Sequence, residues 1–370
     1  MKKKVLIVNT VNTGFTGITS VIMNYVRKTY TSVQYDFVLC GKVDSGFIEA
    51  LKRFGENVFQ PPCSRGKKPL NYSFWLRKLI EENNYDVIHV HGNSGTMFFD
   101  IHAAKKAGVP IRITHSHSTS CKHMVAHNIL RPILNRELTH AIACSDMAGK
   151  WLFTRDYAVL PNGIDVEKFA FSQAVRDEYR KKLGLEDKLV IGHIGYMDTE
   201  KNHMFLLRVF ADLVKSQPDA MLLLIGDGRL RTEIESYIKE LQLENYVQVL
   251  GKRGDVAQLY QCMDVFVLPS LFEGLPVTLV EAQAAGLPCV VSDTVTRQVN
   301  ITNNIEYVGI QDANITDWVE QIVNSAKLTG RECWAEAIGC TIYNIDNCIK
   351  ELYGIYEVED NGGMLDEDFK

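Results

Sequence analysis

The sequence predicts an α/β protein made of two successive doubly wound parallel-sheet domains, and three observations carry that prediction. The chain has 370 residues, beyond the roughly 250–300 at which a single core usually splits. Short apolar runs alternate with amphipathic stretches along its length, the pattern of parallel strands covered by helices on both faces. The alternation pauses once, in AVLPNGIDVEKF (158–169), where Pro161, Asn162 and Gly163 punctuate the chain before it restarts.

In order, VLIVN (5–9), YDFVLC (35–40), YDVIHVH (85–91), IRITHSH (111–117), HAIACS (140–145) and YAVLPN (157–162) read as strands. Helical spacing follows the first through Ile18, Val21, Ile22, Tyr25 and Val26, and recurs near 46–54, 71–83, 95–107 and 145–153. After a helix at 172–183 come strands LVIGHIG (189–195), AMLLLIG (220–226), YVQVLG (246–251), DVFVLP (264–269), PCVVSD (288–293) and IEYVGI (305–310). Helices fill 201–216, 229–241, 255–262, 276–285, 314–327 and 331–338. The expected organisation is an N-terminal domain over 1–165, a C-terminal domain over 166–342, a helix over 343–358 and an acidic, disordered tail over 359–370. The stripe Ile345, Ile349, Leu352 and Ile355 on that helix suits packing on either domain. Ligands of open α/β sheets bind beyond the carboxyl ends of the strands, so two such sheets are expected to face a cleft.

Several function classes are excluded early. A net charge of −5 leaves no excess of Lys and Arg to replace the counterions of a nucleic acid. No apolar run reaches the 18–20 residues of a membrane span, and Val5–Val8 is too short for a signal-peptide core. Nine cysteines, an odd number without a C-x-x-C pair, read as reduced and mostly buried thiols of a cytosolic protein. They lack the ligand spacing of a zinc site. Charge is uneven along the chain, +9 over 1–165 and −14 over 166–370, which points to different partners for the two halves.

The segment DVFVLPSLFEGLPVTLVEAQAAGLPCVVSD (264–293) is the most informative. Pro276 is expected at the first helical position and Gly286 just past the helix end. The free N–H groups there, with those of Gly274 and Leu275, make an anion site at a strand's carboxyl end. Glu273 precedes the helix and Glu281 lies within it. The two oxygens of Glu281 suit a vicinal diol such as ribose, and Glu273 would lie beyond the phosphates.

These residues resemble the signature of retaining, nucleotide-sugar-dependent glycosyltransferases of the GT-B fold, group-1 (family-4) type, and most closely the transferases of bacterial capsule and exopolysaccharide synthesis. GHIGYMDTEKNH (192–203) is similar to the family's strand–loop–helix with a phosphate-binding lysine. The resemblance implies that Lys201 neutralises leaving-group charge and that Asn202 caps or orients the loop. The family pattern has Arg after the Gly, whereas Tyr196 stands here, so one expected cation is missing. Arg253, in the base-facing segment LGKRGDV (250–256), is a candidate replacement, and Tyr196 can donate one hydrogen bond. LLIGDGRLR (223–231) is similar to the family's Gly-rich turn, with Gly226 and Gly228 permitting tight backbone and Asp227 serving the turn. In NTVNTGFTGITSVIMNY (9–25), Gly14 and Gly17 would let the loop approach the diphosphate. THSHST (114–119) offers His115 first and His117 second as the donor-sugar contact, and His91 of HVHG (89–92) would lie near the acceptor.

The resemblance therefore implies transfer of a hexose or N-acetylhexosamine from a nucleotide sugar, UDP-linked, to a saccharide acceptor that is itself lipid-linked. Transfer would proceed with retention, without a covalent intermediate, a cofactor or an essential metal. Apart from Asp366–Asp368 in the tail, no Asp-x-Asp occurs. The basic clusters Lys2–Lys4 and Arg65–Lys68 suggest peripheral contact with the anionic inner face of the cytoplasmic membrane, at roughly 1 kcal/mol per residue. Two other readings stay open: a sugar-nucleotide epimerase, and a non-catalytic sugar-nucleotide-binding partner of another transferase.

Overall fold

The computed structural model describes residues 2–12, 17–328 and 330–359. Two compact units emerge. The first joins Met1–Gly163 to the C-terminal segment from Ile345, and the second is Ile164–Asn344.

The first unit runs β1 (Lys3–Asn9), α1 (Gly17–Thr29), β2 (Val33–Leu39), α2 (Ser45–Leu51), β3 (Asn57–Phe59), α3 (Pro69–Asn83), β4 (Val87–Gly92), α4 (Phe98–Lys106), β5 (Ile111–Ser116), α5 (Met124–Glu137), β6 (His140–Ala143), α6 (Asp146–Leu152) and β7 (Ala158–Val159). Its parallel sheet has the order β3-β2-β1-β4-β5-β6-β7. Alternate residues point to opposite faces. Val5, Ile7, Val87, Ile111 and Ile113 form one core with α1 and α2. Leu6, Val8, Ile88 and Val90 form the other with α3, α4 and α6.

The second unit runs α7 (Val166–Phe169), α8 (Gln173–Leu183), β8 (Leu189–Ile194), α9 (His203–Ser216), β9 (Ala220–Ile225), α10 (Arg231–Glu240), β10 (Val247–Gly251), α11 (Val256–Cys262), β11 (Val265–Leu268), α12 (Val277–Ala284), β12 (Cys289–Ser292), β13 (Ile305–Val308), α13 (Ile315–Ser325) and α14 (Trp334–Gly339). Its parallel sheet has the order β10-β9-β8-β11-β12-β13. Both sheets reverse direction beside their first strand, between β1 and β4 and between β8 and β11. In such sheets the reversal opens a crevice at the carboxyl ends.

The last described helix is α15 (Ile345–Tyr356), which rejoins the first unit. Ile345, Cys348, Ile349, Leu352, Tyr353 and Tyr356 complete the core beneath α1. Gly163 admits the start of this helix: a Cβ there would lie 2.9 Å from both Ile345 Cα and Cys348 Sγ.

Four local expectations need correction. The sequence pattern omits α5 because its burial is inverted: His127, Leu134 and Asn135 are buried while Val125, Ile129 and Ile133 are exposed, and Pro132 lies inside it. It also omits β3, a three-residue edge strand too short to show periodicity. Pro276 is the N-cap of α12 rather than its first helical residue. The terminal helix is shorter at both ends than 343–358. The acidic tail beyond residue 359 lies outside the described residues.

Candidate functional site

The second unit gathers its candidate residues at the β8/β11 reversal. β8 ends at Ile194, and the following loop carries Gly195, Tyr196 and a 3-10 turn, Thr199–Lys201. β11 ends at Leu268, and its loop runs through Glu273 to the N-terminus of α12. Lys201 Nζ meets Glu273 Oε1 at 2.5 Å, with both side chains mostly buried. Ser270 Oγ donates to the same carboxylate oxygen at 2.7 Å, and Leu271 N–H donates to the Glu200 carbonyl at 2.8 Å. Gly195 leaves room for the lysine stem, since a Cβ there would lie 3.1 Å from Lys201 Cδ. Two loops are thus locked around one ammonium–carboxylate pair.

Beside this pair, α12 begins with the N–H groups of Val277 and Thr278, which have no preceding helical acceptor, whereas Leu279 N–H donates to the Pro276 carbonyl at 3.0 Å. No side chain caps the helix, and Thr278 Oγ1 is buried without a partner. Gly274, Leu275 and Pro276 lead into this turn, and a Cβ on Gly274 would meet nothing within 4 Å. Uncapped donors and an orphan hydroxyl make a place for an anion.

Glu281 lies one turn deeper. Tyr260 Oη donates to its Oε2 at 3.0 Å and also to the Thr278 carbonyl at 2.9 Å. Burial pushes the Glu281 carboxyl up to about 7, against opposing pulls from the Tyr260 bond and Lys168.

The other expected donor contacts differ in outcome. Gly226 sits at φ 137°, and a Cβ there would collide with the Gly195 carbonyl at 2.0 Å, so the β8 and β9 loops touch backbone to backbone. Asn202 has left-handed backbone (φ 54°) between the 3-10 turn and α9, but its side chain makes no capping bond. Its expected capping role is therefore conformational. Tyr196 is 61% exposed. Arg253 is committed to Asp255 by a two-pronged ion pair of 2.7 and 2.5 Å, which holds Asp255 down to about 2. The guanidinium expected to stand in for the missing cation is thus already neutralised. Gly17 opens α1, whereas Gly14 lies outside the described residues.

In the first unit, the expected histidines form one stacked array. His89 and His91 share a face of β4; His115 of β5 is the register partner of His91, and His117 follows directly. Ring centroids lie 4.2 Å apart for His89–His91, 5.2 Å for His91–His115 and 4.1 Å for His115–His117. Their order of preference reverses here. His115 is fully covered and His91 is 1% exposed, so neither presents a ring to a substrate, while His117 retains partial exposure. Burial pushes His115 well below the usual imidazole range, helped by His117 and His91, and takes His117 down to about 3. All four rings are neutral near pH 7.

Sequence reasoning missed three further groups. His193 Nδ1 is hydrogen-bonded to the Val267 carbonyl at 2.9 Å, leaving a buried, unpartnered Nε2 close to Gly195. Its only sequence signal was its place in the GHIG strand. Arg229 reaches across the loops to Asp198, within electrostatic range of Tyr196. It stands two residues past the Gly-rich turn's Asp227. Thr278 is hidden in a mostly apolar helix, where only three-dimensional placement reveals an orphan hydroxyl.

A family model described as "Glycosyl transferases group 1" matches residues 175–327, and another, "Glycosyltransferase Family 4", matches residues 33–168. The chain is 34% identical over 359 residues to the putative glycosyltransferase EpsF of Bacillus subtilis (strain 168), spanning 92% of this chain and 93% of the relative. It is 28% identical over 345 residues to the UDP-Gal:alpha-D-GlcNAc-diphosphoundecaprenol alpha-1,3-galactosyltransferase of Escherichia coli, spanning 86% and 89%. Its fold matches the crystal structure of Anabaena Alr3699/HepE in complex with UDP, with TM-score 0.77, 20% identity and coverage of 96% and 99%. The chain therefore belongs to the group-1, family-4 glycosyltransferases, and its two parallel-sheet α/β units are those of the GT-B fold. It is a glycosyltransferase, as its sequence resemblance implied.

Proposed function

We propose that this glycosyltransferase moves a hexose or N-acetylhexosamine from a UDP-sugar to a lipid-linked saccharide, with retention, in capsular or exopolysaccharide synthesis. The observation that carries the reading is the Lys201–Glu273 pair at the β8/β11 reversal, beside the uncapped N-terminus of α12. In this reading the donor diphosphate takes the place of Glu273 as the partner of Lys201. The N–H groups at Gly274–Pro276 and the start of α12, with Thr278, bind its oxygens. As the glycosidic bond breaks, the ammonium and the helix N-terminus stabilise the departing diphosphate without a metal at the reacting centre. The freed Glu273 carboxylate accepts hydroxyls of the sugar, and Glu281 accepts those of the ribose. Gly226 keeps the floor of the site at backbone height, Asn202 sets the turn before α9, and Arg229, on leaving Asp198, shares with Tyr196 the task of the missing arginine, since Arg253 stays paired with Asp255. His117 is the sugar-contacting histidine, with His115 and His91 beneath it.

The E. coli relative's name specifies a UDP-galactose donor and a diphosphoundecaprenol-linked acceptor, and the Anabaena structure carries UDP. Both support a uridine nucleotide and a lipid-linked acceptor here. Among the described residues no helix is long and apolar enough to cross a membrane, so the lipid-linked acceptor would be met by peripheral contact at the cytoplasmic face.

Transfer from a panel of UDP-sugars to diphosphoundecaprenol-linked saccharides, with the anomeric configuration of the product read by NMR, tests the reading. Lys201→Ala and Glu273→Ala are each expected to lower kcat by about 100–1,000-fold while retaining the wild-type circular dichroism. Full activity in both variants overturns the site, and an inverted product overturns retention.

A further inference from the structure

The strands β4 and β5 carry the same short pattern, His89-Val-His91 and His115-Ser-His117. Alternate residues on a strand share a face, so two parallel neighbours bring four imidazoles together under α1 and α15. Apolar residues fill this face elsewhere: Val87, Ile111 and Ile113 occupy the preceding positions. If bulk alone were needed, leucine would serve.

The polar balance of the array is incomplete. His89 Nε2, both ring nitrogens of His115 and His117 Nδ1 are buried and have no hydrogen-bond partner. Each such atom costs about 1–3 kcal/mol if left unsatisfied. By contrast, two nitrogens are held firmly from behind. His89 Nδ1 is 2.7 Å from the Tyr356 hydroxyl of α15, and His91 Nδ1 is 2.9 Å from His117 Nε2. Fixing Nδ1 leaves Nε2 as the remaining nitrogen of each ring, and that of His89 is buried without a partner. That division, with one nitrogen anchored and the other open, is the arrangement that outer-shell partners impose on metal-bound histidine.

The three rings are near-parallel neighbours, with 13–35° between their planes. One ring nitrogen each from His89, His91 and His115 lies within 4.8 Å of the other two. A cavity of about 10 Å³ adjoins His89, His91 and Tyr356, room for about one water.

We propose that His89, His91 and His115 bind one divalent transition-metal ion of the zinc class, with a water in the adjoining cavity as fourth ligand. Three neutral imidazoles suit zinc, cobalt, nickel or copper and are poor ligands for magnesium or calcium. Metal–nitrogen bonds of about 2.0–2.1 Å in a tetrahedron set the nitrogens about 3.4 Å apart. Binding therefore requires rotations that move each nitrogen by about 1 Å and turn the near-parallel ring planes to aim their lone pairs at one point. With the three rings almost wholly buried, the ion is structural. It would tie β4 to β5 beneath α15, and it takes no part in sugar transfer. The cysteines lack the spacing of a zinc site; the ligands proposed are instead histidines, of which the transferase reading assigned His115 to the sugar and His91 to the acceptor.

The test uses the full chain, stripped by dialysis against EDTA and titrated with cobalt(II). One equivalent is expected, with the visible absorption of a tetrahedral site and no thiolate charge-transfer band. His89→Gln and His115→Gln are each expected to weaken cobalt binding at least tenfold, and Tyr356→Phe to weaken it about tenfold by freeing the His89 ring. Absence of binding overturns the proposal and leaves the orphan nitrogens to buried water. A thiolate band, or unchanged affinity in both histidine variants, overturns it in favour of cysteines such as the exposed Cys333 and Cys340. Should the variants not fold, X-ray absorption of the zinc-loaded wild type decides: three imidazoles support the site, and sulfur or fewer imidazoles refutes it.

Discussion

Burial of the Glu281 carboxyl against α11 links the donor site to pH. Its folded value of about 7 lies above the ordinary 4.5, so the folded chain holds a proton there that the unfolded chain has released. This group's contribution to stability therefore falls as pH rises from about 4.5 through 7 and is constant above. Binding runs the opposite way, because a ribose diol donates to the ionised form. UDP-sugar affinity is expected to rise about tenfold between pH 6 and pH 8, and calorimetric titration at both values checks this. Glu281→Gln should flatten the profile; a flat wild-type profile would remove Glu281 from the ribose site. The same residue marks the reach of sequence reading. A carboxylate inside VTLVEAQA announced itself as needing a partner, whereas the identity of that partner, Tyr260 twenty-one positions earlier, did not. Arg253 shows the converse, since its charge was legible but its neutralisation by Asp255 was not.

At the scale of elements, apolar periodicity located twelve of the thirteen strands among the described residues and failed where the environment inverts the pattern. α5 buries His127 and Asn135 because their side chains bond backbone: His127 Nδ1 accepts from Gly95 N–H at 3.1 Å, and Asn135 Nδ2 donates to the Leu152 carbonyl at 3.0 Å. A second buried polar link joins the segment before α3 to α4. Arg65 pairs with Asp100 at 2.5 Å and bonds the Thr96 carbonyl at 2.9 Å, and Tyr72 donates to Asp100 at 2.7 Å. Removing one partner strands a buried charge. Asp100→Ala is expected to cost about 3–5 kcal/mol, read as a lowered urea midpoint. A loss below 1 kcal/mol would mean that water replaces the carboxylate. This pairing also withdraws Arg65 from the basic cluster Arg65–Lys68 that the sequence offered to a membrane.

For the whole molecule, the charge contrast read in chain order needs redrawing. Residues 345–359 carry one lysine and four acidic residues and fold with the basic unit. Asp346 pairs with Lys28 at 3.1 Å and Glu357 with Lys3 at 3.5 Å, while Lys4 is drawn to Asp36 and the Asn83 carbonyl. Of the two basic clusters, the exposed Lys67 and Lys68 stand beside Leu70 and Phe74, which are 74% and 73% exposed one helical turn apart on α3. Membrane contact is therefore expected there. Vesicles rich in anionic lipid should co-sediment the wild type at low salt, and Leu70→Ser with Phe74→Ser should reduce the bound fraction severalfold. Equal binding by wild type and double variant would move the contact elsewhere. The return of α15 has one further consequence, in the time domain. On the ribosome, residues 164–344 emerge as a continuous stretch and can complete their own core as they appear. The earlier-made unit must wait with its sheet face under α1 uncovered, because Leu352 and Tyr356 are made only after residues 164–344. Of these two units the one begun first is finished second, and the interval between is when it is most open to aggregation and to chaperones.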